Sequence, residues 1–174
     1  MQAAGQAASS AASPIANPAA SDVVRGIMRL FARNGIWSLP EMPLRPLKSA
    51  GQTSSHRRAD LMGIDAKGKV IIVEIKVQRG DLLGDSKWPD YLEHCDRFFW
   101  GVPQGLDRSP LESANYLPEE CGVIVADGYD GEIVRPAPLR PLAAARRKVE
   151  IERLARAATR RLAVLGDPDC EPSF

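Results

Sequence analysis

Apolar and polar positions along this chain recur with two different periods. In residues 21–34, SDVVRGIMRLFARN, the positions Val24, Ile27, Met28, Leu30 and Phe31 are spaced for one face of a helix. Ser21 or Asp22 can cap that helix, and Asn34-Gly35 ends it. IWSLPEMPLRPLK (36–48) is extended but too rich in proline for a central strand, so an edge strand is expected. RRADLMGID (57–65) and KVIIVEIKV (69–77) follow, joined by a short glycine-containing turn, the pattern of a β-hairpin. Residues 86–95 predict a short helix with Pro89 in its first turn, where a missing N–H costs little. RFFWGV (97–102) is the next strand, and a long loop leads to GVIVAD (122–127), which pairs with GEIVRP (131–136). A basic helix over 139–165 closes the chain. The order helix, three strands, helix, three strands, helix predicts an α/β fold: a mixed β-sheet flanked by helices.

With 174 residues, 44% hydrophobic and 26% charged, the chain suits one globular domain, expected over 21–168. No run of 18 apolar residues exists, so no membrane span is expected. Residues 1–20 lack the basic start and continuous apolar core of a signal peptide and read as a disordered Ala/Ser/Pro tail. Cys95, Cys121 and Cys170 are far apart and odd in number, which points to a reducing cytoplasm. Two histidines, His56 and His94, are too few for a zinc cage. Net charge is +1, yet residues 139–165 hold eight Arg and Lys against Glu150 and Glu152, a local excess of six positive charges. A basic helix on an acidic body suits sequence-independent contact with phosphates, although a solvated helix face is the commoner reason for such a run. Arg146, Arg147 and Lys148 are its densest cluster.

Two polar residues interrupt the apolar hairpin. If the turn is centred on Lys67, Asp60 lies opposite Glu74, with their Cβ atoms about 5 Å apart. Two carboxylates so placed in an apolar sheet repel, and a divalent cation removes that cost. Oxygen ligands from two acids plus waters suit Mg²⁺, or Mn²⁺ in its place. Strand alternation puts Lys76 on the same face as Glu74, where it can orient a water or steady charge on a phosphate. Ile75 points to the core, but its backbone carbonyl is a further metal ligand. At average composition Glu-x-Lys arises by chance roughly 0.6 times in a chain this long, so its setting carries the weight. The alternative is a surface ion pair at a solvated strand edge.

At these residues the sequence resembles the PD-(D/E)xK nuclease superfamily, with Asp60 as its aspartate and Glu74-Ile75-Lys76 as its ExK; Ala59 stands where a proline is usual. It more closely resembles the MmcB family of bacterial DNA repair proteins through RRADLMGID, VIIVEIKV, GDLLGDSKWPDYLEHCDRFFWGVP, GVIVADGYDGEIVRPAP and PLAAARRK, over about residues 22–168. The resemblance implies a restriction-endonuclease-like core and a role in DNA damage repair. Many members of the superfamily place a further Glu on the first helix. This helix has none, and Glu41 on the edge strand is the substitute candidate for the metal; an exposed edge charge is its alternative. Asp81, Asp85, Lys87 and Tyr91 resemble fixed positions of the family signature. Lys87 can contact phosphate and Tyr91 can donate into the cleft; alternatively Asp85 caps the helix while Trp88 and Tyr91 are core. Alternation puts Arg58 beside Asp60, as a phosphate contact or a surface ion pair. Asp96 is expected to tie down its loop, and His94 to lie at the surface.

The expectation is therefore a Mg²⁺- or Mn²⁺-dependent DNA nuclease, catalytic at Asp60, Glu74 and Lys76. Its metal is held by Asp60, Glu74, the Ile75 carbonyl and Glu41, and its DNA by Arg58, Lys87, Tyr91, Arg146, Arg147 and Lys148. A non-catalytic DNA-binding scaffold that recruits other repair proteins is the alternative, and an RNA-directed nuclease a third reading. Location in the cytoplasm, at the nucleoid, is expected; no dimerisation signature is evident.

Overall fold

The structure is a computed structural model that describes residues 19–44 and 57–170. The segment read as a tail falls outside them up to residue 18, as do His56 and the last part of the proline-rich segment. Helix α1 (Ala20–Arg33) comes first and stops where Gly35 turns left-handed at φ 68°. Strands β1 (Trp37–Leu44), β2 (Arg57–Ile64), β3 (Val70–Ile75), β4 (Arg97–Pro103), β5 (Cys121–Ala126) and β6 (Gly131–Arg135) form one sheet in that spatial order. The β3–β4 and β4–β5 pairs are parallel and the rest antiparallel, so the sheet is mixed, as expected. Six strands with helices on both faces make an α/β architecture consistent with a restriction-endonuclease-like fold.

The β2–β3 hairpin shows how local chemistry sets register. Asp65 Oδ1 accepts the N–H groups of Lys67 and Lys69, both at 2.8 Å, and Gly68 adopts φ 71°. That turn fixes Leu61 opposite Val73, Met62 opposite Ile72 and Ile64 opposite Val70. Alternation then sorts β3. Ile71, Val73 and Ile75 pack under α1 with Val23, Ile27 and Phe31, whereas Val70 and Ile72 face Trp88, Tyr91, Phe98 and Trp100. Gly101 on β4 is required by the α1 side, because a Cβ there would sit 2.7 Å from Ile27 Cδ1 and 2.6 Å from Ile75 Cδ1.

Four local expectations change. Helix α1 is capped at Ala19 with no side-chain bond, and Ser21 and Asp22 lie inside its first turn rather than capping it. Residues 86–95 contain a 3-10 turn, Trp88–Glu93, rather than an α-helix, and a short helix α2 (Arg79–Gly84) precedes it. The basic helix α3 (Ala144–Gly166) starts later than residue 139. Pro136, Pro138 and Pro141 keep the approach extended, and the Leu142 N–H is taken by Asp96 Oδ1 at 2.9 Å. Helix α3 packs Leu154 and Ile151 on the face opposite α1.

Candidate active site

Asp60 and Glu74 meet where the hairpin ladder ends. The register of β2 and β3, continued one step past Leu61–Val73, sets them opposite each other. Asp60 Oδ2 accepts the Ile75 N–H at 2.8 Å, standing in for a backbone carbonyl. Glu74 lies in a strand with neighbours on both edges and is 7% exposed; Lys76 is 9% exposed. A solvated surface pair therefore does not describe them. Lys76 Nζ donates to Glu74 Oε1 at 3.2 Å and to Asp85 Oδ2 at 2.7 Å. Its backbone N–H continues the parallel pairing to the Gly101 carbonyl at 2.9 Å. Glu74 Oε2 is buried without a hydrogen-bond partner.

Burial and the Asp60 charge outweigh the pull of Lys76 and push the Glu74 carboxyl up to about 7. Burial also raises Asp60, against the lowering effect of the Ile75 N–H. Burial opposes the charge of Lys76, but the hydrogen bond to Asp85 and the charge of Glu74 hold its ammonium above the ordinary value. Burial, then the charges of Glu74, Asp60 and Asp85, push the Tyr91 hydroxyl up, so it remains a donor.

These shifts predict a pH dependence. Unfolded, Glu74 ionises near 4.5; folded, it holds its proton to about 7. The carboxyl is therefore tolerated below pH 4.5, and its ionisation destabilises the fold progressively between 4.5 and 7. The loss should level off above 7 at on the order of 3 kcal/mol. Glu74→Gln should remove this slope and match or exceed wild-type stability at pH 8 in metal-free urea unfolding. A large drop instead would make Glu74 a structural partner of Lys76.

Among the described residues no group of three or more His, Cys, Asp or Glu is arranged to hold a metal. The centre offers two facing carboxylates and one orphaned buried oxygen. That donor set fits a hard cation that completes its shell with backbone oxygen and water. Ile75, between Glu74 and Lys76, packs toward α1 with its N–H taken by Asp60. Glu41 sits beside Asp60, close enough for its charge to raise the Asp60 carboxyl. It occupies the left-handed region at φ 57° and forms an exposed ion pair with Arg58. Leu39 and Met42, three residues apart, pack in the same core because that residue breaks the strand alternation.

The other candidates separate. Lys87 is exposed, and its backbone N–H bonds Asp85 Oδ1 at 3.1 Å. Tyr91 is core and donates to the Arg58 carbonyl at 3.1 Å. Arg147 packs inward, its guanidinium bidentate on Asp96, which is 0% exposed. Arg146 bonds the Glu93 carbonyl, His94 and the fully buried Glu150. His94 is buried, not at the surface, with Nδ1 2.9 Å from Glu150. Only Lys148 of this basic cluster is exposed. Asp96 does tie its loop, accepting from Val70, Leu142 and Arg147. Asp85, a position of the family signature with a helix cap as its alternative, is the partner of Lys76; its proximity arises from tertiary folding and leaves no local signal beyond GDLLGDSKW.

Over residues 9–169 the chain matches the family model of MmcB-like DNA repair proteins. No curated protein matches it. A solved structure described as the SPO1766 protein of unknown function from Silicibacter pomeroyi is similar, at 40% identity and a TM-score of 0.70. The alignment covers 87% of this chain and 94% of that one.

Proposed function

Because this chain belongs to the MmcB-like family of DNA repair proteins, we propose that its site hydrolyses DNA phosphodiesters in damaged or structured DNA with a Mg²⁺ or Mn²⁺ ion. This is the chemistry of the PD-(D/E)xK nucleases. The observation that carries this reading is the pairing of half-buried Asp60 with buried Glu74, one of whose oxygens is orphaned, and an ammonium beside them. Asp60 and Glu74 would hold the ion. When bound, it would polarise the phosphate and lower the pKa of an attacking water. Lys76 contributes a fixed positive charge. Its bonds to Asp85 and Glu74 hold the ammonium at the carboxylates, where it can meet a phosphate oxygen. The Tyr91 hydroxyl fixes the β2 backbone two residues before Asp60.

Calorimetric titration with Mn²⁺ at pH 8 should show a site that Asp60→Asn abolishes. Since the ion displaces a proton from Glu74, affinity should rise with pH through about 7. Equal binding by wild type and Asp60→Asn, or no binding by either, would contradict the assignment.

A further inference from the structure

Helix α3 crosses the sheet and runs out along its β1 edge. A groove lies in that seam in two stretches. The first, about 450 Å³, is lined by Trp37, Leu39, Ile151, Leu154 and Ala158, among others. The second, about 580 Å³, includes Glu41, Pro43, Arg160, Arg161 and Leu165. Both stretches lie between the same two elements, the first apolar at the Trp37 end and the second carrying Arg160 and Arg161 at the Glu41 end. From Trp37 to Glu41 the strand covers about 13 Å.

Two features mark this groove as a surface made to be covered. Trp37 is 70% exposed, whereas Trp88 is 3% and Trp100 0% exposed. Its ring stands at the edge of the sheet with no aromatic neighbour among the described residues. At the other end Arg161 donates to the Glu41 carbonyl at 3.2 Å, and the Glu41 carboxylate pairs with Arg58. The basic end therefore abuts the residue whose charge acts on Asp60. An aromatic platform, a run of guanidiniums and a direct lead into two carboxylates match a polymer that has flat apolar faces and a phosphate at every step.

We infer that the α3–β1 groove seats an unpaired strand of DNA, with a base stacked on Trp37 and phosphates on Arg160 and Arg161, and leads that strand toward Asp60 and Glu74. This deepens the nuclease reading and rests on it for the destination of the strand, but not for the binding itself. An unpaired strand is favoured over a duplex because only unstacked bases offer a π-face to a side chain. Arg161 spends one N–H on Glu41 and has others to offer, since a guanidinium carries five donors.

The test uses the full chain in EDTA, so that neither metal nor cleavage enters. A fluorescently labelled oligo-dT and a blunt duplex of equal length are titrated by anisotropy, while tryptophan emission is followed with unlabelled DNA. Because the other two tryptophans are buried, stacking on Trp37 should quench the exposed emission. The single strand should bind more tightly than the duplex. Trp37→Ala should abolish the quench and weaken single-strand binding about 10-fold, and Trp37→Phe should restore most of the affinity. Arg160→Gln with Arg161→Gln should reduce the slope of log K against log salt by about 1.4, at about 0.7 per contact. That combination stands even if wild type never cleaves DNA, in which case the nuclease reading fails and the groove assignment survives. Cleavage with unaltered single-strand binding by Trp37→Ala would overturn the groove assignment alone. Overturning it equally would be sedimentation showing a concentration-dependent oligomer that Trp37→Ala dissociates, with no effect of Trp37→Ala on DNA binding; the groove would then belong to a second copy of the chain.

Discussion

Arg147→Met should destabilise the fold markedly, because it strands the buried Asp96 carboxylate without its cation. Asp96 is fully buried and receives two guanidinium N–H bonds from Arg147, at 2.6 and 3.1 Å, besides the backbone N–H groups of Val70 and Leu142. Those partners join the start of β3, the start of β4 and the entry to α3. Burial alone would raise the Asp96 carboxyl, but the Arg147 bonds and the two backbone N–H groups hold it below its ordinary value. A depressed carboxyl stabilises the fold above its unfolded pKa, and that contribution is lost as pH falls through the folded value. Wild type should therefore weaken in acid below about pH 4, whereas Arg147→Met should already be weak at pH 7. Adding Asp96→Asn to Arg147→Met should recover part of the loss, because the stranded charge is gone. Lys148→Gln, on the exposed face, should stay within about 0.5 kcal/mol of wild type. Urea midpoints of the four proteins check this. An Arg147→Met midpoint equal to wild type would return Arg147 to the DNA-contacting face.

Lys76→Met should lower DNA cleavage by about 100- to 1000-fold, the usual cost of one lost charge-stabilising donor. The substitution keeps an apolar stem of similar length and removes only the ammonium. Mn²⁺ binding and single-strand affinity should persist, because neither Asp60 nor the α3–β1 groove depends on Lys76 for its position. An effect confined to the chemical step is what an interaction made mainly in the transition state produces. Asp85→Asn should give a smaller loss, since Lys76 keeps its 3.2 Å bond to Glu74 while losing the 2.7 Å one. Urea midpoints measured alongside separate a lost reaction from a lost fold. If the DNA-binding scaffold were the protein's role, cells carrying Lys76→Met would survive DNA damage as wild type does.

The centre of this site was legible because the hairpin carries its own ruler. Asp65 and Gly68 define the turn, period-two alternation defines the faces, and together they place Asp60 opposite Glu74 and Lys76 beside it. What could not be read is what only tertiary folding creates. Asp85 reaches Lys76 from a loop nine residues on, across a short helix whose RGDLLG sequence has too few turns to show a period. The charge count over residues 139–165 does not tell which charges face inward. A signal was present: Glu150 stands four residues before Leu154, in phase with the buried stripe. An acid in a core-facing position demands cations, and Arg146 and Arg153 supply them, with the buried His94 alongside. The fold class was readable because the six strands and the long helices each carry clear periods; the 3-10 turn at Trp88–Glu93 has one too short to distinguish it from an α-helix.

The most direct measurement is single-turnover cleavage of single-stranded, nicked and branched DNA by wild type and Lys76→Met, with Mg²⁺, Mn²⁺ or EDTA. The Asp60–Glu74–Lys76 centre predicts that wild type cuts at least one of these substrates with either metal and none with EDTA, and that Lys76→Met is at least about 100-fold slower at unchanged binding. No cleavage of any substrate that wild type demonstrably binds, or equal rates for wild type and Lys76→Met, would contradict it.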